Sequence, residues 1–456
     1  MLDGEAAAEV TQTRKVAAAA TPGQPACPEQ IRTAGAMLPI CYAISALPAS
    51  AIYVSPSGND NGAGTVTSPF RTLAKAYARV ASGGTIVLRS GTYADGWLEI
   101  NKTGLTIQAY PNELPVFSGA QILDTGWNNE EGGLAWHAYT PMPVTDGSGI
   151  KVTDSTQLRQ NGINDQDPVG IFADQAWLGA AQLKQVASKA SVRAGSFYVD
   201  RTAKRVYLSR ADASMANISA RKIQVSANRQ FAQVNAPNLT LRGIKITRYS
   251  NTPADHGVIR VEAPASTLLL ENVEITDAAF QAIHFGGNKT TYLDNPILRN
   301  VSITGSNWMG VVYNYVRNPK IRWSKIANSN LFSEFLFSPQ SGAIKTAKTR
   351  HVNIYNSDFI KNNSHGLWFD QSSYDVTIAN SKIIDNAGAG VFFEISDQLL
   401  MVNNYVRAPL DATTSSSPAV KLAGSSGLRL INNTIVGGSH ALGIFTDSRA
   451  RPGCAD

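Results

Sequence analysis

Two carboxylates, Asp370 and Glu394, stand at equivalent positions of two similar segments. The first segment reads Gly366-Leu367-Trp368-Phe369-Asp370, and the second reads Gly390-Val391-Phe392-Phe393-Glu394. Residues two apart in a β-strand share a face, so each acid shares a face with an aromatic residue while the larger apolar pair faces the core. Neighbouring strands lie about 4.8 Å apart. Two carboxylates at that distance repel each other, which raises one pKa and lowers the other.

Such a pair is suited to glycoside chemistry. Two carboxyl groups about 5 to 5.5 Å apart hydrolyse a glycosidic bond with retention of configuration, one as nucleophile and the other as general acid and base. A solvated pair at the ends of two strands is the structural alternative. The two acids are therefore candidate catalytic residues.

Further residues of the same strand series are candidates for substrate binding: Trp368, Phe392, Lys345, His365, Asn314 and Tyr313. The two aromatic residues would form a wall on which a sugar ring stacks. Lys345 interrupts an apolar position, so it either extends to solvent or neutralises a carboxylate. Alignment on the glycines predicts one row of side chains: Asn314, Thr346, Asp370, Glu394 and Asp447.

A repeat surrounds these residues and predicts the fold. Gly342, Gly366 and Gly390 recur at equal spacing, and the apolar residues between them alternate with the period of a strand. A fixed period of this length indicates a solenoid of stacked units. Asparagine recurs at one turn and favours a tight left-handed bend; the positions are Asn272, Asn300, Asn356, Asn380 and Asn404.

The repeats resemble right-handed parallel β-helix proteins of the pectate-lyase-like superfamily. The run Tyr53-Val-Ser-Pro-Ser-Gly-Asn-Asp and the later Gly84-Thr-Ile-Val-Leu-Arg-Ser-Gly-Thr-Tyr93 are similar to the opening of many such enzymes. The two acid-bearing segments resemble a subgroup with retaining, xylosidase-like glycosidases. This resemblance implies a secreted carbohydrate-active enzyme in which Asp370 is the nucleophile and Glu394 the acid/base.

A polysaccharide lyase or uronate epimerase is the main alternative. That chemistry needs a base near the α-carbon of a uronate and a cation that neutralises its carboxylate. Lys345 or Tyr313 would be the base, and calcium would be the cofactor to consider. Beyond Asp370 and Glu394 the sequence has no acidic cluster, and its six histidines lack ligand spacing, so neither a metal site nor another cofactor is expected. A glycan-binding solenoid without catalysis is the third interpretation.

Composition and periodicity divide the chain into four parts. Residues 1–50 read as a leader, 51–120 as an N-terminal cap and first coils, 121–225 as a β-rich insertion, and 226–456 as the repeats. An amphipathic helix beginning at Pro69 is expected to cover the unpaired edge of the first coil. The chain ends soon after a repeat without an evident cap, which predicts a truncated C-terminus. We therefore expect an all-β, right-handed parallel β-helix with a capping helix and an insertion.

The leader has the pattern of a secretory signal. Arg32 precedes an apolar run over 34–47, and small residues follow at 49–51. Its removal would take Cys27 and Cys41 away and leave Cys454 alone, without a disulfide framework. The net charge of +6 comes without a basic run, and no apolar stretch is long enough to span a bilayer. We expect a secreted monomer that acts on a polysaccharide or oligosaccharide, with no nucleic-acid or membrane partner.

Overall fold

The computed structural model describes residues 33–143, 174–212, 222–252, 255–331, 341–409 and 417–449. Many of these residues form short strands, and most of the strands pair in parallel along a solenoid. One wall is a ten-stranded sheet, built from Leu98–Ile100, Ala232–Val234, Gly257–Glu262, Gln281–Gly286, Met309–Asn314, Gly342–Ala347, His365–Asp370, Val391–Glu394, Val420–Ala423 and Leu442–Phe445.

The remaining walls belong to a continuous sheet of 21 strands. Its strands are Ile52–Val54, Thr85–Leu88, Gly91–Tyr93, Thr106–Ala109, Pro115–Ser118, Thr240–Arg242, Lys245–Thr247, Leu269–Thr276, Leu293–Asp294, Ile297–Thr304, Val316–Arg317, Lys320–Arg322, Lys325–Ala327, Arg350–Tyr355, Asp358–Ile360, Tyr374–Ala379, Lys382–Ile384, Asp397–Val402, Tyr405–Arg407, Ser426–Ile431 and Thr434–Val436.

Each coil stacks in register on the next, which places apolar residues above one another. Val352 pairs with Val376, and Val376 pairs with Leu399. Alternate residues of each strand point inward, so these side chains form continuous rows through the core. Burial stabilises each such side chain by about 1.5 to 3 kcal/mol relative to exposure. The predicted all-β parallel solenoid is confirmed.

The turn asparagines follow the prediction with one exception. Asn272, Asn300, Asn356 and Asn380 have φ between 50° and 53°, the left-handed region that asparagine tolerates. The sequence predicts that Asn404 occupies this turn position in its coil, and this prediction is wrong by one residue. Ala379 pairs with Val402, so this coil is one residue shorter than the repeat between the glycines. Asn403 takes the left-handed position, with φ of 54°. Asn404 instead donates to Asn433 Oδ1 at 2.9 Å in the coil interior.

A second pair of asparagines bonds between coils inside the solenoid. Asn386 is fully buried, and its Oδ1 accepts from the Asn362 backbone N–H at 3.1 Å and from Asn362 Nδ2 at 2.8 Å. Its Nδ2 donates to the Phe359 carbonyl at 3.0 Å. This one side chain therefore satisfies three buried polar groups of the preceding coil.

Replacing Asn386 with alanine is expected to destabilise the solenoid. The Asn386→Ala variant leaves the Asn362 N–H and the Phe359 carbonyl buried without these partners, which costs about 3 kcal/mol in the free energy of unfolding. Denaturant unfolding followed by circular dichroism measures the change. Lys382→Ala, an exposed substitution in the same coil, is the control, and equal stability of both variants would contradict the role given to Asn386.

The N-terminal cap contains the α-helix Leu73–Arg79, which begins later than the predicted Pro69. Phe70 forms a parallel bridge with Val54 instead, so the chain is still extended there. The Thr72 hydroxyl then caps the helix by accepting from the Lys75 backbone N–H at 3.2 Å. Leu73 and Ala76 are buried against the first coil. Two 3₁₀ turns span Ile44–Ala46 and Lys189–Ser191.

The region between the first coils and the repeats forms two further sheets. Four strands, Ala120–Ile122, Ala176–Leu178, Ala181–Gln182 and Ile223–Ser226, pair antiparallel. Five more, Asn128–Glu130, Leu134–Ala138, Lys184–Gln185, Ser196–Asp200 and Arg205–Ser209, form a sheet in which all pairs except Lys184–Gln185 with Ser196–Asp200 are antiparallel. The described residues of this region have an apolar core of their own, separate from that of the solenoid, and Trp127 belongs to it.

Residues 33–47, which we call the N-terminal strap, lie along the outside of the coils. The Gly35 N–H donates to the Trp323 carbonyl at 2.7 Å, and the Tyr42 hydroxyl donates to the Ala109 carbonyl at 2.6 Å. Ile40 is buried, and its carbonyl accepts from the Asn112 N–H at 2.7 Å. The stretch therefore packs against the coils, where the sequence predicts an unfolded leader. Its cleavage as a secretory signal stays a prediction. Its apolar residues serve to cover the solenoid.

Cys41 also departs from expectation, because it is disulfide-bonded. The other two cysteines, Cys27 and Cys454, lie outside the described residues. The sequence predicts no disulfide because cleavage of the signal would remove Cys27 and Cys41. Within the described part of the chain, no helix has the length and apolar character needed to cross a bilayer.

Candidate active site

Asp370 and Glu394 lie on the outer face of the ten-stranded sheet, on neighbouring strands. Phe369 stands opposite Phe393, and both rings point into the core. The following residue of each strand therefore points outward. Strand pairing thus places the two carboxylates where the alternation of residues predicts.

Asp370 is buried, and its two carboxylate oxygens differ in their surroundings. Oδ2 is 3.2 Å from Lys345 Nζ, so the ammonium group compensates the carboxylate charge. Oδ1 is buried and has no hydrogen-bond partner. A buried polar atom without a partner costs about 1 to 3 kcal/mol. This oxygen therefore keeps an unused acceptor position on a residue that lines a cleft.

Glu394 is held from two sides. Its Oε2 accepts from the indole Nε1–H of Trp368 at 2.9 Å, and its Oε1 accepts from Arg449, which also pairs with Asp447. Burial raises the pKa of Glu394, and the charge of Asp370 raises it further. Arg449 and the indole N–H oppose this rise without cancelling it. A carboxyl group with a raised pKa is suited to donating a proton.

Trp368 and Phe392 stack on each other, but they form no exposed wall. Their ring centroids are 5.4 Å apart, and both side chains are nearly inaccessible. Lys345 Nζ lies 3.7 Å from the Trp368 ring centroid, and Lys421 Nζ lies 4.4 Å from that of Phe392. The expected sugar-stacking role is therefore corrected. Trp368 instead holds Glu394 by donating its indole N–H.

His365 packs at the edge of this aromatic pair, 5.1 Å from each ring centroid. Its Nδ1 accepts from the Ala389 backbone N–H at 2.9 Å. Burial lowers the pKa of His365 to about 3, which keeps the ring neutral. A buried ring with this partner holds the turn before the Val391–Glu394 strand, so its predicted contact with substrate is corrected to a structural one.

The predicted row of side chains is only partly formed. Ile344 pairs with Leu367, so this coil is one residue shorter than the distance between Gly342 and Gly366. As a result Ala347, rather than Thr346, lies opposite both Asp370 and Asn314. Thr346 consequently points inward, where its hydroxyl lies 2.8 Å from that of Ser373. The same slip by one position turns Lys345 outward, where it neutralises Asp370.

Two other predicted members of the series also lie elsewhere. Tyr313 is fully buried in the core and stacks on Phe285 with centroids 4.9 Å apart, so it is not a surface base or binding residue. Asp447 stands beyond the last strand, whose Phe445 occupies the row opposite Ala423. It nevertheless reaches the site through Arg449. Arg449 carried no sequence signal, because it follows the last repeat.

A cleft of about 400 Å³ runs from Asp370 along the ten-stranded sheet towards the N-terminus. Lys345 and Asn314 line it, as the sequence predicts for substrate-binding residues, and Tyr313 borders it with its side chain buried in the core. The other lining residues are His256, Arg260, Glu262, Phe280, Gln281, His284, Gly286, Gly287, Trp308, Val312, Ala347 and Gln371. Most of these escape sequence analysis, because they come from coils with irregular spacing.

The charges of the cleft are balanced. The described lining of the cleft includes two cations, Lys345 and Arg260, and each pairs with a carboxylate. Arg260 Nε lies 2.7 Å from Glu262 Oε1, and Lys345 pairs with Asp370. Burial lowers the pKa of His256 to about 4 and that of His284 well below its ordinary value, so both rings are neutral at physiological pH. Among the described residues, no group of three or more His, Cys, Asp or Glu side chains is arranged to hold a metal ion.

Known proteins resemble this chain in fold and, over shorter stretches, in sequence. Residues 256–435 match the family model described as right handed beta helix region. A solved structure of XylC in complex with xylose superposes with a TM-score of 0.62 at 16% identity, over 83% of this chain and 70% of that one.

Two curated sequences match over shorter stretches. The uncharacterized protein YwoF of Bacillus subtilis is 30% identical over 130 residues, which are 27% of this chain and 24% of YwoF. Pectate lyase PEL9 of Emericella nidulans is 33% identical over 127 residues, which are 24% of this chain and 31% of PEL9. The chain thus spans less than a third of the length of each of these relatives.

Proposed function

This chain is a right-handed parallel β-helix protein, and we propose that it is a glycan-active enzyme that hydrolyses glycosidic bonds with retention of configuration. Asp370 is the nucleophile and Glu394 is the general acid and base. The observation that carries the proposal is the pairing of two outward carboxylates on neighbouring strands in unequal surroundings. One has an unpartnered oxygen beside a cleft, and the other has a raised pKa.

The reaction proceeds in two steps that these groups complete by themselves. Asp370 Oδ1 attacks the anomeric carbon while Glu394 gives its proton to the departing glycosidic oxygen, which leaves as an alcohol. The sugar is then held as an ester on Asp370. Glu394, now a carboxylate, takes a proton from water, and the water oxygen attacks the anomeric carbon and displaces Asp370. The Trp368 N–H orients Glu394 throughout, and Lys345 compensates the charge of Asp370 between turnovers.

Lyase or epimerase chemistry is the second candidate, and one observation favours it. Lys345 lines the cleft, and burial lowers its pKa, as expected for a catalytic base. Against this, Lys345 is paired with Asp370 and Arg260 with Glu262, so the described lining offers a uronate carboxylate no uncommitted cation. Tyr313, the other candidate base, lies in the core. Hydrolysis is therefore the better supported function.

A panel of glycans tests the proposal and separates it from its alternatives. The probes are p-nitrophenyl glycosides of neutral sugars, starting with xylosides because the solved XylC complex holds xylose, together with neutral and uronate oligosaccharides. New reducing ends without ultraviolet absorbance indicate hydrolysis, and proton NMR at early times shows whether configuration is retained. Unsaturated, ultraviolet-absorbing products or an inverted anomer would overturn the proposal. Binding without turnover would indicate a glycan-binding protein.

We further place the protein outside the cytoplasm, acting as a monomer on polysaccharide or oligosaccharide. The disulfide at Cys41 supports this location, since disulfides persist in oxidising compartments. The proposed mechanism needs no metal or organic cofactor. Calcium enters only with the lyase alternative.

A further inference from the structure

The cleft contains a second set of polar atoms that the proposed chemistry does not use. Glu262 and His284 come from adjacent strands and converge on the space in front of Gly286. A Cβ atom at Gly286 would lie 2.8 Å from Glu262 Oε2 and 2.9 Å from His284 Nε2. We propose that these three residues, the Gly286 notch, bind a neutral sugar unit of an oligosaccharide substrate. This inference rests on the proposed function and specifies its substrate class.

The notch presents one donor and one acceptor. Gln281 Nε2 lies 3.2 Å from His284 Nδ1, and because the amide nitrogen is a donor, Nδ1 accepts and Nε2 carries the hydrogen. The lowered pKa of His284 keeps this neutral form. Glu262 accepts from Arg260 through Oε1, while Oε2 faces the notch. Two neighbouring hydroxyls of a sugar fit this arrangement, one donating to Glu262 and the other accepting from His284.

The surroundings of the notch favour a neutral sugar over a uronate. Phe280 and Trp308 border the same cleft, but they are buried and stack on each other with centroids 4.1 Å apart, so the preference comes from the charged groups rather than from ring stacking. The Glu262 carboxylate repels a substrate carboxylate, and Arg260 already pairs with Glu262. His256, 4.6 Å from His284, is kept neutral by its lowered pKa and attracts no anion.

Strand register fixes the position of the notch relative to the reacting bond. Gly286 is opposite Asn314, Asn314 is opposite Ala347, and Ala347 is opposite Asp370. Three strand steps separate the notch from Asp370, a distance of about 14 Å. A glycan chain along this row advances roughly one unit per strand step, so the notch receives a unit about three places from the reacting one. The substrate is therefore an oligosaccharide longer than a disaccharide.

Gly286→Ala tests this inference, because its methyl group displaces the ends of the Glu262 and His284 side chains from the notch while Asp370 lies three strands away. The specificity constant kcat/KM is measured for neutral oligosaccharides of two to five units, using the sugar and linkage identified by the glycan panel. In the native protein we expect a rise of at least about tenfold from two to five units, the value of one charge-assisted hydrogen bond. In Gly286→Ala the rise disappears, while an aryl monoglycoside is hydrolysed at the native rate.

Glu262→Ala is the second variant in case Gly286→Ala folds poorly, and Glu271→Ala is its matched control. Glu271 also pairs with arginines, but it lies in the 21-stranded sheet, on another wall of the solenoid. A chain-length effect that survives in Gly286→Ala and Glu262→Ala, or no effect in the native protein, overturns the notch. Tighter binding of uronate than of neutral oligosaccharides also overturns it.

Calorimetric titration keeps the inference separate from the proposed function. Native protein is titrated with xylo-, cello- and galacto-oligosaccharides of two to five units. If nothing is hydrolysed but binding strengthens with length and is lost in Gly286→Ala, the hydrolase proposal fails and the notch stands. If monoglycosides are hydrolysed but no oligosaccharide binds more tightly than a disaccharide, the hydrolase proposal stands and the notch fails.

Discussion

Asp370→Asn is expected to abolish glycoside hydrolysis while the protein stays folded. The amide keeps the shape of the side chain but cannot attack the anomeric carbon, so no covalent intermediate forms. We expect kcat to fall roughly 10⁴- to 10⁶-fold, the loss seen when a hydrolase loses a catalytic residue of this kind. Initial rates on the best aryl glycoside of the panel measure the effect. Mass spectrometry of the native protein with a slowly released substrate is expected to show the sugar on Asp370.

The charge of Lys345 makes the choice of controls important. Asp370→Asn leaves a buried ammonium without its carboxylate, and breaking a buried ion pair costs about 3 to 5 kcal/mol. The double variant Lys345→Met with Asp370→Asn removes that charge, so it restores stability but not activity. Asp385→Asn is the matched control, because Asp385 also pairs with a cation, Arg407, but on another wall. A folded Asp370→Asn protein with native activity would exclude the nucleophile, and Lys345 would become the leading catalytic residue.

The carboxylate pair was predictable because nothing interrupts the repeat between its two coils. The step in register from Leu367 to Val391 equals the spacing of the two preceding glycines, as the sequence requires. Alternation along a strand then decides which side chains point outward. One coil earlier the same reasoning failed, because the turn is shorter by one position and the register follows it. A slip by one position reverses every side chain of a strand, which is why Thr346 was placed outside and Lys345 was ambiguous.

What covers a surface is harder to predict from sequence than which way a residue points. Trp368 and Phe392 point outward as expected, yet they are buried, because cations from adjacent coils lie over them. Arg449 reaches Glu394 from beyond the last repeat, and the N-terminal strap packs against coils far along the chain. These contacts depend on tertiary structure outside the repeat and leave no periodic signal. The N-terminal strap is apolar where it packs on the coils, and an apolar run of this kind is also what a signal peptide contains, so sequence alone does not separate the two.

Glu394→Gln is expected to remove proton donation while leaving the nucleophile in place. For substrates whose leaving group needs a proton, such as oligosaccharides and alkyl glycosides, we expect kcat/KM to fall about 10²- to 10⁴-fold. For dinitrophenyl glycosides, whose leaving group is stable as an anion, the formation of the glycosyl–enzyme should be nearly unaffected. Added azide should restore its breakdown and yield a glycosyl azide, because an anionic nucleophile needs no general base.

The pH dependence gives an independent measurement of the same residue. Glu394 must be protonated to act as an acid, so activity falls as pH rises through its pKa, which burial and Asp370 raise above the ordinary value. Glu394→Gln should lose this basic limb. Arg449→Met is the matched variant: the guanidinium lowers the pKa of Glu394, so its removal should move the limb to higher pH. A basic limb that persists in Glu394→Gln, or an equal loss for every leaving group, would mean that another group supplies the proton.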